Sequence, residues 1–154
     1  EKAYLRAGCS QELYDSVVRS RESCFKSFDS SITDYASTDI ACDIIRKYKP
    51  DLMTLHLTLV DSTRHEFGVF NDKVEDAAAR TEEFLFRIFN ACIEAGTFEE
   101  TNFIITSDHG QIHYTRKVNL NTLLVDEGLI ELNDDGTVKS WKAYIDSACL
   151  SAHV

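Results

Sequence analysis

Leu52-Met-Thr-Leu-His-Leu-Thr-Leu-Val60 runs directly into Asp61-Ser-Thr-Arg-His65, and this stretch decides the fold. The run is apolar at most positions, with interspersed threonines, which is the pattern of a strand buried on both faces. A second short apolar run, Asn102-Phe-Ile-Ile-Thr106, leads into Ser107-Asp108-His109-Gly110. Between the two lies the clearest helical pattern in the chain. From Asp72 to Ala95, the positions Val74, Ala77, Ala78, Thr81, Phe84, Leu85, Ile88 and Cys92 trace one stripe, and Gly96 follows as a stop. Strand, helix, strand is a βαβ unit, whose strands are parallel and whose crossover is right-handed. Open α/β sheets place their chemistry at the carboxyl ends of such strands. The fold expected is therefore α/β: a partial parallel sheet with flanking helices.

Those strand ends carry two carboxylates and two imidazoles. Asp61 and His65 are four residues apart, so a helical turn after the strand puts both on one face. Carboxylate oxygen plus imidazole nitrogen suits zinc and tolerates manganese or iron. Asp108 and His109 are adjacent, and only a sharp bend aims both at one place; Gly110 is the residue expected to allow it. Neither pair alone makes a closed site, because zinc takes three or four protein ligands. The expectation is two half-sites. The competing reading is that both aspartates merely cap helices.

The remainder supports one domain or a large piece of one. The chain has 154 residues and 44% hydrophobic content, enough for a core. Its formal net charge of -10 argues against binding a nucleic-acid duplex or an anionic membrane through a basic surface. No segment approaches the ~18 apolar residues of a membrane helix. Cys9, Cys24, Cys42, Cys92 and Cys149 are irregularly spaced and read as reduced, mostly buried small hydrophobes, which leans toward a reducing, cytoplasmic-type compartment. Residues 11–28 read as a helix. Residues 37–48 read as another, through Ile40, Ala41, Ile44, Ile45 and Tyr48, ended by Pro50. Asn119 is placed as the N-cap of a short helix through Leu124, closed near Gly128. Asn133-Asp-Asp-Gly136 is a hairpin turn between two short strands, the small C-terminal β-hairpin.

Lys49-Pro-Asp-Leu-Met-Thr-Leu-His-Leu-Thr-Leu-Val-Asp-Ser-Thr-Arg-His-Glu-Phe-Gly68 resembles the nucleotide pyrophosphatase/phosphodiesterase family of the alkaline phosphatase superfamily, with its pattern of KPD, apolar strand, DxxxH, aromatic and glycine. Thr101-Asn-Phe-Ile-Ile-Thr-Ser-Asp-His-Gly110 is similar to the family's second signature, and Asn119-Leu-Asn-Thr-Leu-Leu and Glu127-Gly-Leu-Ile130 follow in family order. The resemblance covers roughly residues 35–145. It implies an alkaline-phosphatase-like parallel sheet and two Zn2+ ions, with Mn2+ possible. One ion would sit on Asp61 and His65 with a distant histidine. The other would sit on Asp108 and His109 with an earlier aspartate and a threonine or serine nucleophile. The implied reaction is hydrolysis of phosphodiester or pyrophosphate bonds in a small nucleotide.

The departures shape the rest of the expectation. No residue of 1–35 follows a strand as that nucleophile should. Ser30, Ser31, Thr33 and Thr38 read as turn and cap residues. His153 reads as a strand residue rather than the distal ligand, His56 as a satisfied core histidine, and His113 as a loop residue. Arg64 replaces a small residue and could reach a substrate phosphate, though a solvated surface role is the plainer reading. Phe84, Phe86 and Phe89 read as packing. Residues 1–154 are thus expected to be a single partial catalytic domain, inactive alone and prone to self-association. The alternatives are another superfamily hydrolase (phosphomonoesterase, sulfatase-like or phosphomutase) or a noncatalytic fragment.

Overall fold

In the computed structural model, residues 8–148 and 151–153 are described; Cys149 lies outside them. The organising helix spans Asp72–Ala95, as its stripe predicts. Asn71 caps it: its side-chain oxygen accepts from the amides of Lys73 (3.0 Å) and Val74 (3.3 Å). Gly96 closes it at φ +71°, with the Thr97 amide donating to Cys92 O (2.9 Å) and the Gly96 amide to Ile93 O (3.0 Å). That pair of bonds is the Schellman ending, which needs a residue free to adopt positive φ.

Several helical elements precede this helix. A helical stretch comprises a short turn, α1 (Gln11–Leu13), a π segment (Tyr14–Val18) and a 3-10 segment (Arg19–Lys26). Helix α2 spans Ser30–Tyr48 and α3 spans Leu59–Phe67; the long helix is α4. Helix α2 starts at Ser30, seven residues before the expected start at 37, because Asp29 caps it, accepting from Ser31 N at 2.8 Å. Its early turns bury two polar residues, Asp34 and Thr38, which hide the helical period from a hydrophobicity pattern. Thr38 is therefore a core residue, not a turn or cap. The helix ends where Lys49 turns left-handed, φ +46°, ahead of Pro50.

Helices α2 and α4 pack through Cys42 and Ile45 against Ala91, Cys92 and Ala95. The two alanines let the backbones approach. Tyr14, Val17 and Val18 cover Ile40 and Ile44 on α2. A third cluster joins Leu59 of α3 to Ala77 and Phe84 of α4. Phe84 meets Tyr35 edge-on at 6.4 Å, and Phe89 packs on Phe86, Phe98 and Phe103, so the aromatics are packing residues as expected. Asp39 on α2 binds both Arg21 and Arg87, tying three helical elements together. Cys24, Cys42 and Cys92 are free thiols; burial pushes the Cys42 thiol pKa up.

Residues 52–58 and 101–106 carry no regular secondary structure, and no parallel ladder forms among the described residues. Ile104 is 88% exposed and Leu52 83%. The strand expected over 52–60 gives way to helix at Leu59, so Asp61 stands in the first turn of α3 rather than on a strand end.

Residues 1–113 and 114–154 form two compact units. The second contains α5 (Asn121–Asp126) and two antiparallel hairpins, β1 (Ile130–Leu132) with β2 (Val138–Trp141) and β3 (Asp146–Ala148) with β4 (Ser151–His153). The Asn133–Gly136 turn joins β1 to β2, as its sequence predicts, and the Asn133 amide donates to Thr137 O at 2.8 Å to close it. Leu120, not Asn119 as expected, stands at the N-cap of α5; the Asn119 side-chain oxygen, one residue earlier, accepts from Asn121 N at 3.2 Å. Asn121 then clamps Ile145, accepting from its amide (2.8 Å) and donating to its carbonyl (2.9 Å). His153 is a strand residue.

Candidate metal centre

Helix α3 delivers the first pair. Asp61 and His65 lie one turn apart, with His65 Nε2 3.6 Å from Asp61 Oδ1. The second pair comes from an irregular loop. There the Ser107 hydroxyl donates to the His109 carbonyl, and the His109 amide donates to Asp108 Oδ1 at 3.0 Å. These local bonds make the bend. Gly110 does not adopt positive φ, so the bend is held by side chains of Ser107 and Asp108 and not by glycine freedom. The result aims two adjacent residues at one place: His109 Nε2 is 3.5 Å from Asp108 Oδ2.

The two pairs meet. His109 Nε2 also lies 3.9 Å from Asp61 Oδ1. Two ligand atoms each ~2.0–2.1 Å from a tetrahedral zinc sit roughly 3.3 Å apart. Each pairwise distance here is thus within several tenths of an ångström of that spacing. Among the described residues, no three donors are close enough together to enclose an ion. The arrangement is two adjoining pairs, not a closed cage.

The orientation of His109 suits a ligand. Its Nδ1 lies 3.1 Å from Gly110 O. A carbonyl only accepts, so in this contact Nδ1 carries the proton and the Nε2 lone pair is left toward the carboxylates. The site is open: the side chains of Asp61, His65, Asp108 and His109 are between 42% and 68% exposed. Asp61, Asp108 and His109 line a groove of about 930 Å³. Residues 49–57 and 100–107 supply much of its wall, with Leu85, Ile88 and Phe89 of α4 as floor.

Two further residues belong to the centre and were not singled out as such from sequence. Gln111 donates to Asp61 Oδ1 at 2.7 Å, and its own amide oxygen is buried without a partner among the described residues. A glutamine after SDHG carries no spacing signal of its own. His56, expected in the core, is exposed, and its Nε2 lies 3.8 Å from Asp108 Oδ2. The apolar run around it suggests burial on both faces, which does not occur here. Arg64 also lines the groove; its Nε is buried and unpartnered among the described residues. It is not the solvated surface residue expected. His113 is exposed, as a loop residue should be.

Two of the hydroxyls expected to be structural are engaged by the helices. Ser30 Oγ pairs with Ser62 Oγ at 2.6 Å, and Thr33 Oγ1 donates to Ser30 O at 3.1 Å. No helix among the described residues is long and apolar enough to cross a membrane.

A family model described as type I phosphodiesterase / nucleotide pyrophosphatase matches residues 2–153. No curated protein and no solved structure matches the chain. Members of that family are hydrolases of phosphodiester and pyrophosphate bonds. With both signature segments converging on one groove, and a match running nearly end to end, the chain belongs to the type I phosphodiesterase / nucleotide pyrophosphatase family.

Proposed function

We propose that this chain carries the metal-binding half of a hydrolase that cleaves phosphodiester or pyrophosphate bonds in small nucleotides. The observation that carries the proposal is the meeting of the Asp61/His65 pair with the Asp108/His109 pair, clusters more than 40 residues apart in sequence, through His109 Nε2 and Asp61 Oδ1 at 3.9 Å. Caps have no reason to converge. Asp61 and His65 would hold one Zn2+ and Asp108 and His109 a second, with Mn2+ an alternative from the same donor set. When bound, such ions activate an attacking hydroxyl and neutralise phosphoryl charge.

The residues of this chain have separate tasks. Asp61 and Asp108 supply the negative charge that draws cations into an acidic protein. The Gly110 carbonyl holds His109 in the tautomer that presents Nε2. Arg64, half-buried with an unpartnered Nε, contacts a substrate phosphate oxygen. Ser30 and Thr33 are engaged within the helices, and neither is assigned as the attacking hydroxyl. Residues 52–58 and 101–106 become strands of a parallel sheet in the whole domain, which explains apolar side chains as exposed as Ile104.

The test is metal content after zinc loading and desalting. Zinc retained by the wild-type chain, and lost in Asp61→Ala and Asp108→Ala, is the expected result. Zinc retained equally by both variants would overturn the assignment.

A further inference from the structure

The N-terminus of α3, the helix that presents Asp61 and His65, is capped from a different helix. Thr58 occupies the N-cap position but makes no capping bond with its own side chain. Asp34, in the second turn of α2, takes that role across 24 residues of sequence. Its Oδ2 accepts from the amides of Thr58 and Leu59, both at 2.8 Å. Its Oδ1 accepts from the Thr58 hydroxyl at 3.2 Å. Asp34 is only 2% exposed.

A carboxylate buried this deeply needs compensation. Among the described residues no Lys, Arg or His makes an ion pair with it. Two backbone amides, one hydroxyl and the positive end of the α3 dipole supply it instead. The bonds fix where residues 52–57 stop and helix begins. That point sets the rotation of α3, because every later residue follows at 100° steps. Asp61 is the third residue of the helix and His65 lies one turn further on. Moving the helix start by one residue would swing both away from His109.

We infer that Asp34 is a positioning residue for the Asp61/His65 half-site. Its carboxylate acts on the metal pair through the start of α3 and touches no substrate. The consequence for zinc rests on the metal reading above; the consequence for α3 does not.

The experiment compares Asp34→Asn, Asp34→Ala and Asp29→Ala in the full chain. Asp29 caps α2 itself by accepting from Ser31 N and makes no bond to Thr58 or Leu59, so its loss reports a merely structural effect. Zinc affinity is read by competition with a chromogenic chelator. Asp34→Ala should bind zinc 10–100-fold more weakly, as second-layer changes at metal sites do. Asp34→Asn, which keeps an acceptor oxygen, should fall between it and wild type, and Asp29→Ala should stay within about twofold of wild type. Equal affinity in Asp34→Ala, or equal losses in Asp34→Ala and Asp29→Ala, would overturn the inference while leaving the metal assignment standing.

Amide hydrogen exchange provides a readout that needs no metal. Thr58 and Leu59 should lose protection in Asp34→Asn, and the His65 and His109 ring signals should shift, while α4 stays protected. Unchanged exchange at Thr58 and Leu59 would overturn the inference even if the wild-type chain bound no zinc. That last result would defeat the metal reading alone. Should Asp34→Ala fail to fold, Asp34→Asn carries both measurements.

Discussion

Truncating Gln111 to alanine should weaken zinc binding by about 10- to 30-fold. Its amide donates to Asp61 Oδ1 at 2.7 Å and so fixes which way that carboxylate faces. A hydrogen bond to a charged acceptor contributes roughly 1.5–3 kcal/mol when buried. Both residues here are half-buried, which favours the lower part of that range. About 1.4 kcal/mol is a tenfold change in affinity, so ~1.5–2 kcal/mol corresponds to roughly 10- to 30-fold. Global stability should change by less, because Gln111→Ala also removes a buried carbonyl that has no partner. The assay is competition for zinc against a chromogenic chelator near pH 7, with urea unfolding of the metal-free chain beside it. An unchanged dissociation constant would refute the orienting role. Tighter binding would show that the amide competes with the metal for Asp61 instead.

Phe84→Ala should cost about 3–5 kcal/mol in urea unfolding, because it empties the cluster with Leu59 and Ala77 and removes the edge contact with Tyr35; a loss below about 1 kcal/mol would show that this part of α4 is not core. Asp29→Ala should cost about 1 kcal/mol through loss of the α2 cap. The Asp29 pKa is held below its ordinary 3.8 by hydrogen bonds from the Ser31 hydroxyl and amide, so the charge stabilises the fold above that ordinary value and ceases to as pH falls through the lowered one. In an exposed position this charge contributes a few tenths of a kcal/mol, and the difference between wild type and Asp29→Asn should be constant from about pH 5 upward and vanish in acid; a difference that grew in acid would have the wrong sign. Lys49→Gly should raise stability by ~0.5–1 kcal/mol, since it relieves a side chain at φ +46° at the end of α2 while adding freedom to the unfolded chain; destabilisation on thermal melting would contradict this.

The parts of the fold legible in sequence were those whose signals are local. Helix α4 was readable to the residue because stripe, Asn71 cap and Gly96 stop agree, and the 133–136 turn because its chemistry is contained in four residues. The start of α2 was not, because buried Asp34 and Thr38 interrupt the apolar period that would mark its early turns. Asp34 is buried for a reason found 24 residues downstream, which no window of sequence contains. The four candidate ligands were legible as types and spacings, and the structure brings them together. Gln111 and His56 were not, because their proximity to Asp61 and Asp108 is created by the path of two irregular segments. Residues 52–58 and 101–106 have strand composition, but a strand is defined by its neighbours, and the ladders among the described residues are all antiparallel hairpins of the second unit.

The unbroken length of α4 limits how this chain can tolerate insertions and deletions. Its contacts with α2 and α3 lie on one stripe spanning Val74 to Ala95. Adding or removing one residue inside it would rotate everything beyond by about 100° and carry Ala91, Cys92 and Ala95 off α2. Seven residues would bring the stripe back to within ~20°. Length variation between the two ligand clusters is therefore confined to the segments 68–71 and 96–100 or must come in whole heptads, so the spacing of the two motifs is inherited as a fixed quantity even where the intervening residues change freely.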